Sequence, residues 1–178
     1  MTTPNVVNLL ATSRFAEYID LEHFSDETGL DFDPDRFPGM TYKITDPKVC
    51  ALIFRSGRIV ITGAKNHDHV ETALTITHKA LTDNGCKLWD AYAYEVGNVV
   101  VTHDIGRELN LAHLTLSLPM ARTEWEPEQF PGLIYRLSDV GSVCLIFSSG
   151  KCVITGNSSI EEAAIAIKAL TKDLDAVL

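Results

Sequence analysis

The sequence predicts an α+β fold in which one half-domain of antiparallel strands and two helices is used twice. Three observations predict it. Residues 36–65 and 129–158 align with 14 identities over 30 positions, carrying Phe-Pro-Gly, Leu-Ile-Phe, Ser-Gly and Val-Ile-Thr-Gly in the same order. The offset of 93 residues is too long for a solenoid unit and suits a duplicated half-domain. Both copies also show the same succession of alternating apolar segments closed by an amphipathic helix.

The elements follow in order. Val6 to Ala11 reads as a strand, and Asp20 to Thr28 as a short helix ended by Gly29. Met40 to Ile44, Val49 to Phe54 and Arg58 to Thr62 read as three strands, with Gly57 marking a tight turn between the last two. A longer helix runs from about Asp68 to Asp83, with Val70, Ala73, Leu74, Thr77, Ala80 and Leu81 on one face and Gly85 just past its end. The second half repeats this: strand Val96 to Thr102, helix Asn110 to Leu118, then strands Leu133 to Leu137, Val143 to Phe147 and Lys151 to Thr155. A closing helix begins at Ser159, with Glu162 placed for a capping box and Ile160, Ala163, Ala164, Ile167 and Leu170 on its apolar face. Asn8 and Asn98 correspond at an offset of 90, so the second half carries three extra residues around its short helix. The repeats are expected at 1–90 and 91–178, with no Pro- or Ser-rich linker between them.

At 178 residues and 46% hydrophobic content the chain can bury a real core. No apolar run approaches membrane-spanning length, and the first residues lack a basic, apolar leader, so a soluble intracellular protein is expected. The net charge of −9 argues against a generic nucleic-acid binder. None of Cys50, Cys86, Cys144 and Cys152 forms a Cys-x-x-Cys pair, so free thiols are expected rather than a zinc site or a disulfide.

One face of the predicted sheet is too apolar for water. Ile53, Ile59 and Ile61 suit the face that packs on the long helix. The opposite set is Leu52, Phe54, Val60 and Thr62, repeated as Leu145, Phe147, Val153 and Thr155. A sheet covered on one side normally turns polar residues outward, so this uncharged set marks a binding surface. A missing second layer, or a sheet-to-sheet homodimer, is the alternative covering. The aromatic spacing favours a ligand. Phe37 and Phe54 are 17 residues apart, as are Phe130 and Phe147. A smooth apolar sheet with one wedge pair per half is what a kinking minor-groove binder requires.

At these residues the chain resembles the TATA-box-binding protein family of archaea and eukaryotes. The resemblance covers roughly residues 5–174 and rests on Glu126-Pro-Glu-Gln-Phe-Pro-Gly-Leu-Ile-Tyr-Arg136, Leu52-Ile-Phe-Arg-Ser-Gly57 and Thr62-Gly-Ala-Lys65. It implies a saddle of two pseudo-symmetric repeats, a curved ten-stranded antiparallel sheet with helices on its convex face. It implies a non-enzymatic general transcription factor, without cofactor or metal, that binds and bends the A·T-rich TATA element of double-stranded DNA. The family is itself a standard example of such a minor-groove binder. By the resemblance, Phe37 with Phe54 and Phe130 with Phe147 intercalate. Asn8 and Asn98 donate to groove acceptors beside Thr62 and Thr155, over Leu10, Leu52, Val60, Val100, Leu145 and Val153. Arg36, Lys43, Ser56, Arg58, Arg136, Ser149 and Lys151 meet the DNA backbone, and Glu126 and Glu128 meet transcription factor B, which brings RNA polymerase indirectly. The acidic balance is similar to that of archaeal members and implies a cytoplasmic, nucleoid-associated protein; a eukaryotic one would be nuclear. The second copy departs at Gly156-Asn157-Ser158 against Gly63-Ala64-Lys65, losing one backbone lysine.

Other candidates have plainer readings. Asp31, Asp33 and Asp35 resemble the start of a calcium loop, but Arg36 and Tyr42 occupy the glycine and glutamate positions. His67 and His69 do not share a helix face, and Trp89 and Trp125 read as packing residues.

Overall fold

In a computed structural model, which describes residues 3–178, the chain divides into two compact units. One is Asn8–Gly97; the other joins the chain start through Val7 to Asn98–Leu178. The first unit is built on β1 (Asn5–Arg14), α1 (Leu21–Thr28), β2 (Gly39–Thr45), β3 (Lys48–Phe54), β4 (Arg58–Ala64) and α2 (His67–Asp83). Its strands pair antiparallel in the order β2-β3-β4-β1. The second unit is built on β5 (Tyr94–Asp104), α3 (Leu111–Ser117), a short 3-10 turn at Met120–Arg122, β6 (Thr123–Glu124), β7 (Leu133–Arg136), β8 (Val143–Ile146), β9 (Lys151–Asn157) and α4 (Ile160–Asp175). Its order is β5-β9-β8-β7-β6.

Local chemistry starts and stops these elements where the residues dictate. Asp20, Asn66, Asn110 and Ser159 cap the four helices, each side-chain oxygen accepting the backbone N–H three residues on. Gly29 ends α1 in the left-handed conformation, at φ 75°. In α2, Val70, Ala73, Leu74, Thr77 and Leu81 are buried and pack on β3 and β4. Thr77 meets the apolar side by donating its hydroxyl to the Ala73 carbonyl at 2.7 Å.

The sheet alternates as the sequence predicts. Val49, Ala51, Ile53, Ile59 and Ile61 are buried, and so are Cys144, Ile146, Cys152 and Ile154 in the second unit. Val60 differs: it points to the opposite face yet is only 9% exposed, because its strand neighbours Leu52 and Thr12 flank it in register. All four cysteines are free thiols.

Four expectations are corrected. Nine strands form among the described residues instead of ten. The missing one is the first-unit counterpart of β6, whose Glu124 is held to β7 by an ion pair with Arg136 at 2.8 Å. Where that strand would lie, the Ser25 hydroxyl binds the Leu30 carbonyl and an acidic run follows. The buried stripe of α4 is Ala163, Ala166, Leu170 and Leu174, not one through Ile160, Ala164 and Ile167, which are half-buried. The capping box is shifted: Ser159 accepts the Glu162 N–H, but Glu162 accepts from Ser158, one residue before the cap. Trp89 is exposed rather than packed, with the Arg14 guanidinium over its ring.

Candidate nucleic-acid interface

Each unit leaves one sheet face uncovered by its own helices. In the first unit a row runs Thr41–Leu52–Val60–Thr12 across β2, β3, β4 and β1, with Lys43–Cys50–Thr62 one step along. In the second unit Ile134–Leu145–Val153–Thr102 and Arg136–Val143–Thr155 occupy the same register positions. Leu10, Leu52, Thr62, Val100, Leu145, Val153 and Thr155 are each half-buried, so the rows form an apolar floor open to solvent. Among the described residues no carboxylate stands in those rows.

A phenylalanine pair closes one end of each floor. Phe37 and Phe54 sit with ring centroids 5.8 Å apart and planes at 61°. Phe130 and Phe147 sit at 5.9 Å and 67°. This edge-to-face geometry is worth about 0.5–1.5 kcal/mol beyond buried area, so the rings hold together. Glycine permits it. A Cβ on Gly39 would lie 2.8 Å from both Phe37 and Phe54, and one on Gly132 would lie 2.7 Å from Phe130 and 3.0 Å from Phe147. Phe37 is 39% exposed and Phe130 is 36% exposed, unusual for rings without a partner to cover them.

At the other end of each floor an asparagine is fixed in orientation. The ladder of β1 with β4 shifts register between Leu9 and Ala11, and that of β5 with β9 between Val99 and Val101. Gly63 and Gly156 make the bulges, at φ 88° and 85°, a region that favours glycine. Their freed N–H groups donate to Asn8 Oδ1 at 2.8 Å and Asn98 Oδ1 at 2.9 Å. With the oxygen engaged, each amide must present its NH2, a donor only, to the open face. Asn98 Nδ2 also donates to Thr155 Oγ1 at 3.1 Å. Two outward donors over an apolar floor match a surface that offers only acceptors.

The expected backbone-contacting residues fall on the rims. Arg36 is exposed beside Phe37, and Lys43 is exposed on β2. Ser56 and Ser149 lie in the turns before β4 and β9, where their hydroxyls accept the N–H of Arg58 and Lys151 at 3.4 Å. Arg58 and Lys151 start those strands on the open face. Arg136 is also exposed but already spends charge on Glu124. Glu126 and Glu128 are exposed in the loop between β6 and β7, held out by a turn in which Gln129 and Phe130 donate to the Glu126 carbonyl.

Two residues were not in the expected set. Arg14 is exposed and pairs with Arg58 in the ladder. Asn157 is fully buried, where Ala64 stands in the first unit. Its Oδ1 accepts from Ser142 Oγ at 2.6 Å, and its Nδ2 donates to the Val99 carbonyl at 2.8 Å and, more weakly, to Ile154 O at 3.3 Å. The departure at Gly156-Asn157-Ser158 is thus a buried polar brace across the second bulge as well as a lost lysine. The signal for Arg14 was the 90-residue offset that pairs Asn8 with Asn98, extended to Asp104.

Comparison with known proteins agrees with this geometry. The profile of a family described as transcription factor TFIID, or TATA-binding protein, matches residues 3–83 and 93–177. TATA-box-binding protein E of Halobacterium salinarum is 43% identical over 174 residues, covering 97% of this chain and 94% of that protein. The TATA-box-binding protein of Methanococcus vannielii is 42% identical over 174 residues, covering 96% and 94%. The solved structure of the Methanococcus jannaschii protein superposes with a TM-score of 0.88 at 39% identity, covering 99% of this chain and all of that one.

Proposed function

We propose, for a chain that belongs to the TATA-binding protein family and is therefore a general transcription initiation factor binding TATA DNA, that its two open sheet faces take the minor groove and its two phenylalanine pairs wedge into base steps. The observation that carries this reading is the matched pair of glycine-seated phenylalanine couples, one per unit, at 5.8 and 5.9 Å, each with one exposed and one half-buried ring. A chain has little reason to hold two rings this way in each of two units unless a stack of bases receives them. Unstacking costs a few kcal/mol per step, offset by the contact that a bent, widened groove makes with the floor.

The donors account for base preference. The minor groove of an A·T pair offers only the acceptors adenine N3 and thymine O2, while a G·C pair adds the guanine amino donor. Asn8 and Asn98 present NH2 groups that suit the former. The Leu and Val floor gives the guanine amino group no acceptor and crowds it. The repeats at 1–90 and 91–178 then each supply one such face and one phenylalanine pair. Glu126 and Glu128, exposed on the β6–β7 loop, meet transcription factor B, through which RNA polymerase is reached. A nucleoid-associated location in the cytoplasm follows for an archaeal member.

Bending tests the wedges. A TATA duplex labelled at both ends should shorten its end-to-end distance on binding, read by energy transfer. Phe130→Ala with Phe147→Ala should leave the distance at that of free DNA. Unchanged shortening in that double variant would overturn the wedge assignment.

A further inference from the structure

We propose that Arg14 and Arg58 form a phosphate claw beside the first wedge pair, and that the second unit has no equivalent, so the chain grips a duplex asymmetrically. The inference rests on the reading that the open faces meet a nucleic-acid duplex; it adds residues and an inequality to it.

Arg14 ends β1 on the open side, since Leu9, Ala11 and Ser13 of that strand are buried and Leu10 and Thr12 alternate with them. Its ladder partner is Arg58, which alternates with Val60 and Thr62 on β4. Two guanidinium groups on neighbouring strands repel, and among the described residues no ion pair relieves either one. Glu95 lines the same cleft, with Thr12 and Ser56, but makes no ion pair with them. Such a pair is stabilised when an anion sits between.

Arg14 is also held in place. Its Nε donates to the Ser56 carbonyl at 3.0 Å, and its guanidinium carbon lies 5.6 Å from the centroid of the Trp89 ring. Both anchors leave the terminal NH2 groups free. Fixing a long side chain before binding removes much of the ordering cost that weakens surface cations. Trp89 is placed for this by its own backbone N–H, which donates to the Phe15 carbonyl, and by its carbonyl, which contacts His78 Nε2 at 2.7 Å. This gives the exposed tryptophan a role that core packing did not.

The second unit repeats the cleft with one acid and one cation in place of the two arginines. Thr102, Asp104, Ser149 and Lys151 stand where Thr12, Arg14, Ser56 and Arg58 stand in the first. Asp104 pairs with Lys151 in the ladder and accepts the Gly106 N–H at 2.9 Å. The Asp104 carboxylate beside Lys151 offsets its charge and weakens its pull on a phosphate. The ligand class is the backbone phosphate of a duplex, gripped by two guanidinium groups in the first unit and met by Lys151 alone, weakened by Asp104, at the matching place in the second.

Binding to a TATA duplex and to a G·C-rich duplex is measured against salt for the wild type, Arg14→Gln, Trp89→Ala and Asp104→Asn. Each phosphate contact contributes about 0.9 to the slope of log affinity against log salt. Arg14→Gln should lower the slope by about one on both duplexes, with the ratio of TATA to G·C affinity unchanged. Trp89→Ala should keep the slope and weaken binding modestly, because the charge remains but loses its hold. Asp104→Asn should strengthen binding at low salt. An unchanged slope for Arg14→Gln, or weaker binding for Asp104→Asn, would overturn the claw. A wild type that bound both duplexes equally would contradict the proposed function, while the slopes would still read the claw.

Discussion

The two units share their chemistry where base steps would be met and differ where phosphates would be met. The phenylalanine pairs, apolar rows and bulge-fixed asparagines repeat closely, down to Gly–Asn contacts of 2.8 and 2.9 Å. The rims do not. Arg14, Arg36 and Lys65 in the first copy correspond to Asp104, Gln129 and Ser158 in the second, and Arg136 is tied to Glu124 while Lys43 has no such partner among the described residues. The difference teaches that the two copies keep the same aromatic pairs, apolar rows and glycine-held asparagines while differing in rim charge. It also bears on the net charge of −9: among the described residues no carboxylate stands in the floor rows, while Lys43, Arg58, Arg136 and Lys151 lie in or beside them.

The largest effect comes from breaking the shared part. Replacing Phe37 and Phe54 by alanine should abolish stable bending as completely as replacing Phe130 and Phe147, measured on the same end-labelled TATA duplex. A variant of either pair that still bent the duplex fully would show that the wedges are not equivalent.

A smaller effect tests an interior difference. Asn157→Ala copies the first unit's Ala64 but leaves the buried Ser142 hydroxyl and Val99 carbonyl without partners. Leaving such groups unsatisfied costs about 1–3 kcal/mol each before relaxation. The urea midpoint should fall accordingly, and a shift below about 0.5 kcal/mol, the range of neutral surface changes, would refute the brace. The DNA salt slope should stay unchanged, which separates this variant from the rim variants.

The smallest effect lies in the thiols. Burial pushes Cys144 up to about 12 and Cys152 up to about 11, with nearby acidic groups adding to the rise. Desolvation also raises Cys50 and Cys86, which are half-buried in the first unit. A thiol whose folded value is raised stabilises the fold fully below its unfolded value near 9, and that contribution is lost as pH climbs towards 11–12. Stability against urea should therefore fall from pH 9 upward, less steeply in Cys144→Ala with Cys152→Ala. At neutral pH a disulfide reagent should modify Cys50 and Cys86 first and the other two only on unfolding. Early labelling of all four would contradict the burial.

Much of this was legible in the sequence because the repeat is a second measurement of each position. Phe37, Phe54, Asn8 and Val60 gain meaning from Phe130, Phe147, Asn98 and Val153, and strand alternation then assigns their face. What the repeat could not show is where the copies differ. Arg14 lies outside the matched window and meets Asp104 only at the 90-residue offset of Asn8 and Asn98, so the 93-residue alignment alone does not bring the two together. Asn157 looked like a loss because one residue type replaced another; its burial depends on the bulge geometry, which no composition reveals. The stripe of α4 was misplaced because Ile160 to Leu170 is apolar on more than one face, leaving packing to choose the register. The two-residue β6 pairs with β7 at Thr123–Tyr135 and Glu124–Ile134, a strand too short for periodicity to register.

The central claim is that an apolar, donor-bearing face selects A·T minor groove. Titrating the protein against a TATA duplex and a G·C-rich duplex of equal length, at one fixed physiological salt concentration, tests it most directly. The account predicts tighter binding to the TATA duplex by roughly a thousandfold or more. Equal affinity for the two duplexes would contradict it.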